Sequence, residues 1–204
     1  MKNKMQVSLH GLRSSNELAM SDSPELRRGD KLMSPVDVRE LLGTGYCGRL
    51  ATVGSDGSPY ICPLLYVVMQ DEIWLHNTSA IGHLRTNISH EPRVCFEVDI
   101  AGTVFPYGRF ECDTSIEYRS IVVFGQIRII EERNLKAAFF DALMTKYYAQ
   151  TSDRPKGFYP RLDAVTVYAV AVDRMTGKQT VLPAVESQWP SLDQTKSPNA
   201  KSPA

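Results

Sequence analysis

No apolar run in this 204-residue chain approaches the roughly 20 residues that a bilayer-spanning helix requires. Its first residues, Met1-Lys2-Asn3-Lys4-Met5-Gln6-Val7-Ser8, are basic but lack the apolar core of a secretory signal, so a cytoplasmic protein is expected, without a membrane partner. Charge of one sign is also missing. Lys+Arg and Asp+Glu both number 23, and neither the basic excess nor the basic stripe of a nucleic-acid surface is present. Cys47, Cys62, Cys95 and Cys112 form no CxxC pair, and three of them fall in strand-like runs. Reduced core thiols are expected rather than zinc ligands or disulfides. Gly43-Thr44-Gly45-Tyr46-Cys47-Gly48 matches GxGxxG, but it follows a predicted helix and opens a strand, the reverse of the strand-to-helix order of a dinucleotide site, and GxxxxGK[ST] does not occur, so the ordinary dinucleotide and P-loop readings fail. No Ser/His/Asp spacing stands out, so hydrolase chemistry has little support.

Short alternating runs separated by turn residues make up most of what is present. Residues 1–29 have little periodicity and read as an arm, which implies that a chain starting at Gly29 still folds. Residues 30–182 form the domain, and 183–204 a polar tail with one isolated Trp189. Ser34-Pro35 opens a helix that buries Val38, Leu41 and Leu42 and stops at Gly43. Strands are predicted over 47–53, 59–69, 72–76, 93–99, 117–130 and 164–174. Asp56-Gly57 and Gln70-Asp71 mark tight turns between them, the Asp-Gly pair because both central residues tolerate positive φ. Short and longer helices are predicted over 79–90 and 134–148, a loop over 100–115, and a bulge or bend at Gly125. Six short antiparallel strands with few helices indicate a small β-barrel, mainly β in class.

The stretch Ile73 to Asn87 carries the clearest chemical signal. A strand ends at His76, a small polar turn follows, and a helix then begins with His83 and Arg85 in its early turns. Backbone N–H groups at a helix start, joined by a cation, suit a phosphate. A capped helix with solvated charges satisfies the same residues, and His76 alone fits a strand-end histidine equally well.

Four strings in order resemble one family. Cys47-Gly48-Arg49-Leu50-Ala51-Thr52-Val53 with Asp56 to Leu64 resembles the opening hairpin of the pyridoxamine-phosphate-oxidase-like split barrels. Trp74-Leu75-His76-Asn77 with Gly82 to Asn87, Tyr118 to Gly125, and Val167 to Lys178 are similar to their 5-nitroimidazole-resistance (Nim) branch, as is Gln188-Trp189-Pro190. The resemblance implies a six-stranded antiparallel split β-barrel, a homodimer with FMN at the subunit interface and a small-molecule electron acceptor. By position it implies that Arg49, Leu50, Ala51 and Thr52, Pro63 and Leu64, Asn77 and Thr78, Ser120 and Trp189 line the flavin. His83 and Arg85 would face the phosphate, and His76 would sit beside the ring as the catalytic candidate. Many relatives carry a lysine directly after the position of His83. Here it is Leu84, and Arg85 is the substitute. An FMN-dependent reductase of nitro-aromatics is the first reading. A protein that binds flavin, deazaflavin or haem without turnover is the second. Pyridoxamine-phosphate oxidase itself is disfavoured, because no arginine stands around Trp189-Pro190-Ser191-Leu192 to grip a substrate phosphate.

Overall fold

The computed structural model describes residues 28–107, 110, 112–148, 155 and 157–184. Seven strands form one antiparallel sheet: β1 (Gly48–Val53), β2 (Pro59–Leu64), β3 (Tyr66–Met69), β4 (Glu72–Thr78), β5 (Arg93–Pro106), β6 (Thr114–Ile130) and β7 (Val165–Thr180). Their order across the sheet is β2-β1-β5-β6-β7-β4-β3. The two edge strands are consecutive in the chain, with only Leu65 between them. A sheet whose opposite edges are joined by one residue has to curl until those edges meet, which makes a barrel. No hydrogen-bond ladder joins β2 to β3, so the barrel is split along that seam.

The expected single strand 59–69 is therefore two, and the strand count is seven rather than six. Other boundaries differ as well. Residues 100–106 and 114–115, expected as loop, extend the β5–β6 ribbon, with a register irregularity between Ala101 and Val104 beside Gly102. The helix expected from Ser79 begins at His83, because residues 79–82 turn away from β4 first. Of the two tight turns, Gln70-Asp71 has both residues at positive φ, 56° and 60°, whereas at Asp56-Gly57 only Gly57 does. Asp56 instead accepts a hydrogen bond from the Ser58 N–H.

Strand alternation sorts the side chains. Leu50, Phe96, Val98, Ile121, Val123 and Tyr168 point inside the barrel. Helix α1 (Pro35–Thr44) adds Val38, Leu41 and Leu42 to this core. It starts where the Ser34 hydroxyl accepts the Asp37 N–H, with proline in the first turn. Helix α2 (His83–His90) adds Leu84 and Ile88, and its buried Asn87 donates from Nδ2 to Thr52 Oγ1 at 3.0 Å. Helix α3 (Arg133–Tyr147) lies outside the barrel, where Phe139 and Leu143 pack on Val67, Trp74, Val167 and Ala169. The four cysteines are free, as expected, but none is a core residue: three are half-buried and Cys112 is exposed.

One feature of the α3 layer costs stability. The Lys146 ammonium is buried without a hydrogen-bond partner among the described residues, over the Tyr66 ring at 3.6 Å from its centroid. Burial pulls its pKa down from 10.5 to about 8. The folded-state value lies below the unfolded one, so the unfolded chain binds more protons between those two values. Stability therefore rises as pH climbs from about 8 to 10.5. Tyr66's ring face offsets part of the desolvation cost. Lys146→Met is expected to gain about 1 kcal/mol at pH 7, or about 2–4 °C in Tm. Melts at pH 7 and pH 10 check this, and an advantage that persisted unchanged at pH 10 would contradict it.

Candidate functional site

At one end of the barrel, α2 and the ends of β2, β4 and β7 bring seven polar or aromatic groups together. Inward parity on β2 turns Tyr60 and Cys62 toward this end, and on β4 it turns Asn77. Tyr60 stacks on the His83 ring at 5.3 Å between centroids. The Tyr168 hydroxyl donates to Asn77 Oδ1 at 2.9 Å, and burial pushes its pKa up. Arg85, half-buried, donates from Nη1 to the Ser79 carbonyl at 3.1 Å and to Thr166 Oγ1 at 3.4 Å. This holds its guanidinium against the turn that precedes α2.

The start of α2 is unusual electrostatically. Its cap is Gly82, which supplies no side-chain acceptor, and its first turn contains no acidic residue. The positive end of the helix dipole instead meets His83 and the Arg85 cation. Like charge at that end is unfavourable unless an anion sits between them. Beside it runs β2, whose second backbone edge has no strand partner among the described residues and offers carbonyls and the Ile61 N–H, since Pro59 and Pro63 have no N–H.

The residues expected to line one flavin fall into several places, because a strand sends alternate side chains to opposite faces. Asn77, His83 and Arg85 gather at the barrel end, and exposed Thr78 points to the other side of β4. Leu50 is fully buried in the core and Thr52 is buried under Asn87, so only their backbones can face a ligand. Arg49 and Ala51 point outward, and Arg49 bridges Glu97 and Asp99 at 2.7 and 2.6 Å. Its charge is already compensated. Pro63 lies opposite Arg49 on the outer side of β2, and half-buried Leu64 points inward. Ser120 sits on the outer face of β6, opposite Asp99 and Lys178. Trp189 lies outside the described residues.

His76 shares the outer parity of Trp74 and packs beneath α3, its ring 5.4 Å from Phe139 and 5.2 Å from Phe140. Burial lowers its pKa, so the imidazole is neutral at pH 7, and its buried Nδ1 has no partner among the described residues. Sequence reasoning did not single out Tyr60, Cys62, Thr166 or Tyr168. Period-two alternation along β2 from the apolar Leu64 could have put Cys62 and Tyr60 on the inward face, but Thr166 and Tyr168 join only because β7 pairs with β4.

Comparison with known proteins places these features in a wider set. A family model described as Pyridoxamine 5'-phosphate oxidase matches residues 34–179. Among solved structures, the chain is similar to a flavocytochrome from Azotobacter vinelandii (17% identity, 80% of this chain and 77% of that one, TM-score 0.67). It is also similar to the FAD and haem binding protein from Mycobacterium smegmatis (24%, 76% and 76%, TM-score 0.62). A candidate 5-nitroimidazole antibiotic resistance protein from Bacteroides thetaiotaomicron matches at 20% identity over 73% of this chain and 86% of that one, with a TM-score of 0.61. No curated protein sequence matches.

Proposed function

The chain belongs to the pyridoxamine 5'-phosphate oxidase family, and from that premise we propose that it is an FMN-binding flavoprotein that reduces nitro-aromatic or other small acceptors. The observation that carries the proposal is the start of α2: uncapped by any side chain, free of acids in its first turn, and flanked by His83 and Arg85. Those N–H groups and the guanidinium would hold the phosphate, where a dianion would relieve the like-charge contact. The free edge of β2 would offer hydrogen bonds to the polar edge of the isoalloxazine, and Asn77 and Tyr60 would border it. When bound, the flavin supplies the redox chemistry, and the protein supplies position, charge and exclusion of water.

A homodimer belongs to the same reading. Helix α3 covers the outer side of β3, β4 and β7, while the outer side of β2, β1, β5 and β6 has no covering layer among the described residues. Near the β5–β6 ribbon that face exposes Val104 and Ile116, beyond Asp99 and Ser120. A second copy related by a two-fold axis would cover the same patch on both chains.

The purified protein is expected to show flavin absorbance bands, to release FMN identifiable by mass, and to sediment at twice 22.8 kDa. Anaerobic reduction by a nicotinamide donor followed by reoxidation with a nitroimidazole would support turnover. Binding without reoxidation would leave a carrier, and a monomer that takes up no FMN on titration would overturn the assignment.

A further inference from the structure

Four buried side-chain polar atoms have no hydrogen-bond partner among the described residues, and they are not scattered. Asp71 Oδ1, Trp74 Nε1, His76 Nδ1 and Lys146 Nζ all belong to the β3–β4 hairpin or to α3, the helix packed on it. Buried polar groups normally find partners, and each one left over weakens the contact that buries it. The weakness is therefore concentrated in one layer of the molecule.

The last turn of α3 stands in for a missing strand partner. Tyr147 Oη accepts from the Tyr66 N–H at 3.3 Å and donates to the Tyr66 carbonyl at 3.0 Å. β3 is an edge strand, and these two groups lie on the side that no strand pairs. Tyr46, just ahead of β1, meets the Tyr147 ring edge-on at 5.7 Å between centroids. One turn of α3 thus ties β3 to the chain entering β1, across the split in the barrel.

Two of the four atoms belong to groups that take up a proton. His76 is faced by Phe139 and Phe140 from α3 and flanked by Val167 on β7. Tyr159 is reached through Phe140, and Lys136 stands one turn before it. Lys146 is faced by the Tyr66 and Tyr147 rings, phenols that burial keeps neutral. Among the carboxylates around this layer, Glu72 is held by Arg128, Asp141 by Tyr159 and Asp163 by Arg133. None acts on His76 or Lys146, whose pKa values are lowered by burial alone.

We propose that α3 is an acid-released latch: as pH falls it lifts from the β3–β4 hairpin as a unit, frees the Tyr66 edge and opens the seam, while the β5–β6 ladder stays paired. With α3 lifted, both groups return to water, so the lifted state binds more protons than the docked one. Lys146 favours lifting increasingly as pH falls from 10.5 to about 8, and His76 as pH falls below 6.5. The latch does not depend on the flavin reading.

Hydrogen exchange of the full chain at pH 9, 7 and 5.5, with intrinsic rates divided out, tests it. The α3 amides and the Tyr66 N–H are expected to open together, at least tenfold more readily than the β6 amides. Their opening is expected to become about tenfold easier from pH 9 to pH 7 through Lys146, since each pKa unit is worth about tenfold. His76 adds a further several-fold gain from pH 7 to pH 5.5. Lys146→Met is expected to remove the first step. His76→Phe, which keeps a ring between Phe139 and Phe140, is expected to remove the second. Equal protection of α3 and β6 at every pH would overturn the latch, because α3 would then leave only with the barrel. So would an α3 opening that changes less than twofold between pH 9 and pH 5.5, or a profile that both variants leave unaltered. Should either variant fail to fold, the wild-type series decides the matter.

Discussion

Arg85→Ala is expected to weaken FMN affinity by about ten- to a hundredfold while leaving the fold intact. A hydrogen bond to a charged group contributes about 1.5–3 kcal/mol, and each 1.4 kcal/mol or so is tenfold in affinity. The residue is half-buried, and its contacts within the described structure are a carbonyl and a hydroxyl, so its removal leaves no orphaned carboxylate. His76→Ala should behave differently. Its ring packs between Phe139 and Phe140 beneath α3, on the face of β4 opposite Asn77. The expected loss there is thermal stability, with FMN affinity changed less than threefold. Flavin titration and a melt of each variant separate the two. Equal losses of affinity, or full affinity in Arg85→Ala, would remove Arg85 from the phosphate site.

Gly125→Ala should be among the most damaging single-methyl changes in the sheet. A Cβ at Gly125 would lie 2.1 Å from the Ala171 carbonyl oxygen, and a backbone atom held in the β6–β7 ladder cannot step aside as a flexible side chain can. Overpacking of this kind costs about 3 kcal/mol, the upper part of the usual range, which lowers Tm by about 6–12 °C at this chain length. Gly43→Ala is the matched control. It lies within α1 with nothing near the added Cβ, so the better helix former should leave stability unchanged or raise it by up to about 1 kcal/mol. A shift under 2 °C in Gly125→Ala, by thermal melt, would mean that the bulge relaxes and does not fix the geometry beside Phe124 and Arg174.

Much of the fold was legible from local pattern. Ser34-Pro35 and the spacing of Val38, Leu41 and Leu42 set α1, and alternation located every strand to within a few residues outside the β5–β6 ribbon and the long β7. Gly125 marked the place of a register shift, although the extra residue, Asp173, lies in β7 rather than in β6. The β5–β6 ribbon was missed because Gly102, Pro106 and their polar neighbours read as loop, while long-range pairing with a partner strand overrides that preference. The break at Leu65 was missed for a related reason. Residues 59–69 are uniformly strand-like, and nothing local tells a chain that its first half pairs with β1 and its second with β4.

The candidate site divides along the same line. The sequence by itself determined the strand–turn–helix around His83 and Arg85, since a helix start, its cap and its first-turn charges are neighbours in the chain. It also determined which side chains share a face within each strand. Only the tertiary structure decided which faces meet. Closure of the barrel brings Thr166 and Tyr168 to Arg85, and the docking of α3 takes His76 to the far side of β4. The salt bridge to β5 compensates Arg49, and the bulge in β7 sets Arg174 on Phe124. The physical reason is that these contacts join residues tens of positions apart, and their geometry is set by strand order and register, which no local preference encodes.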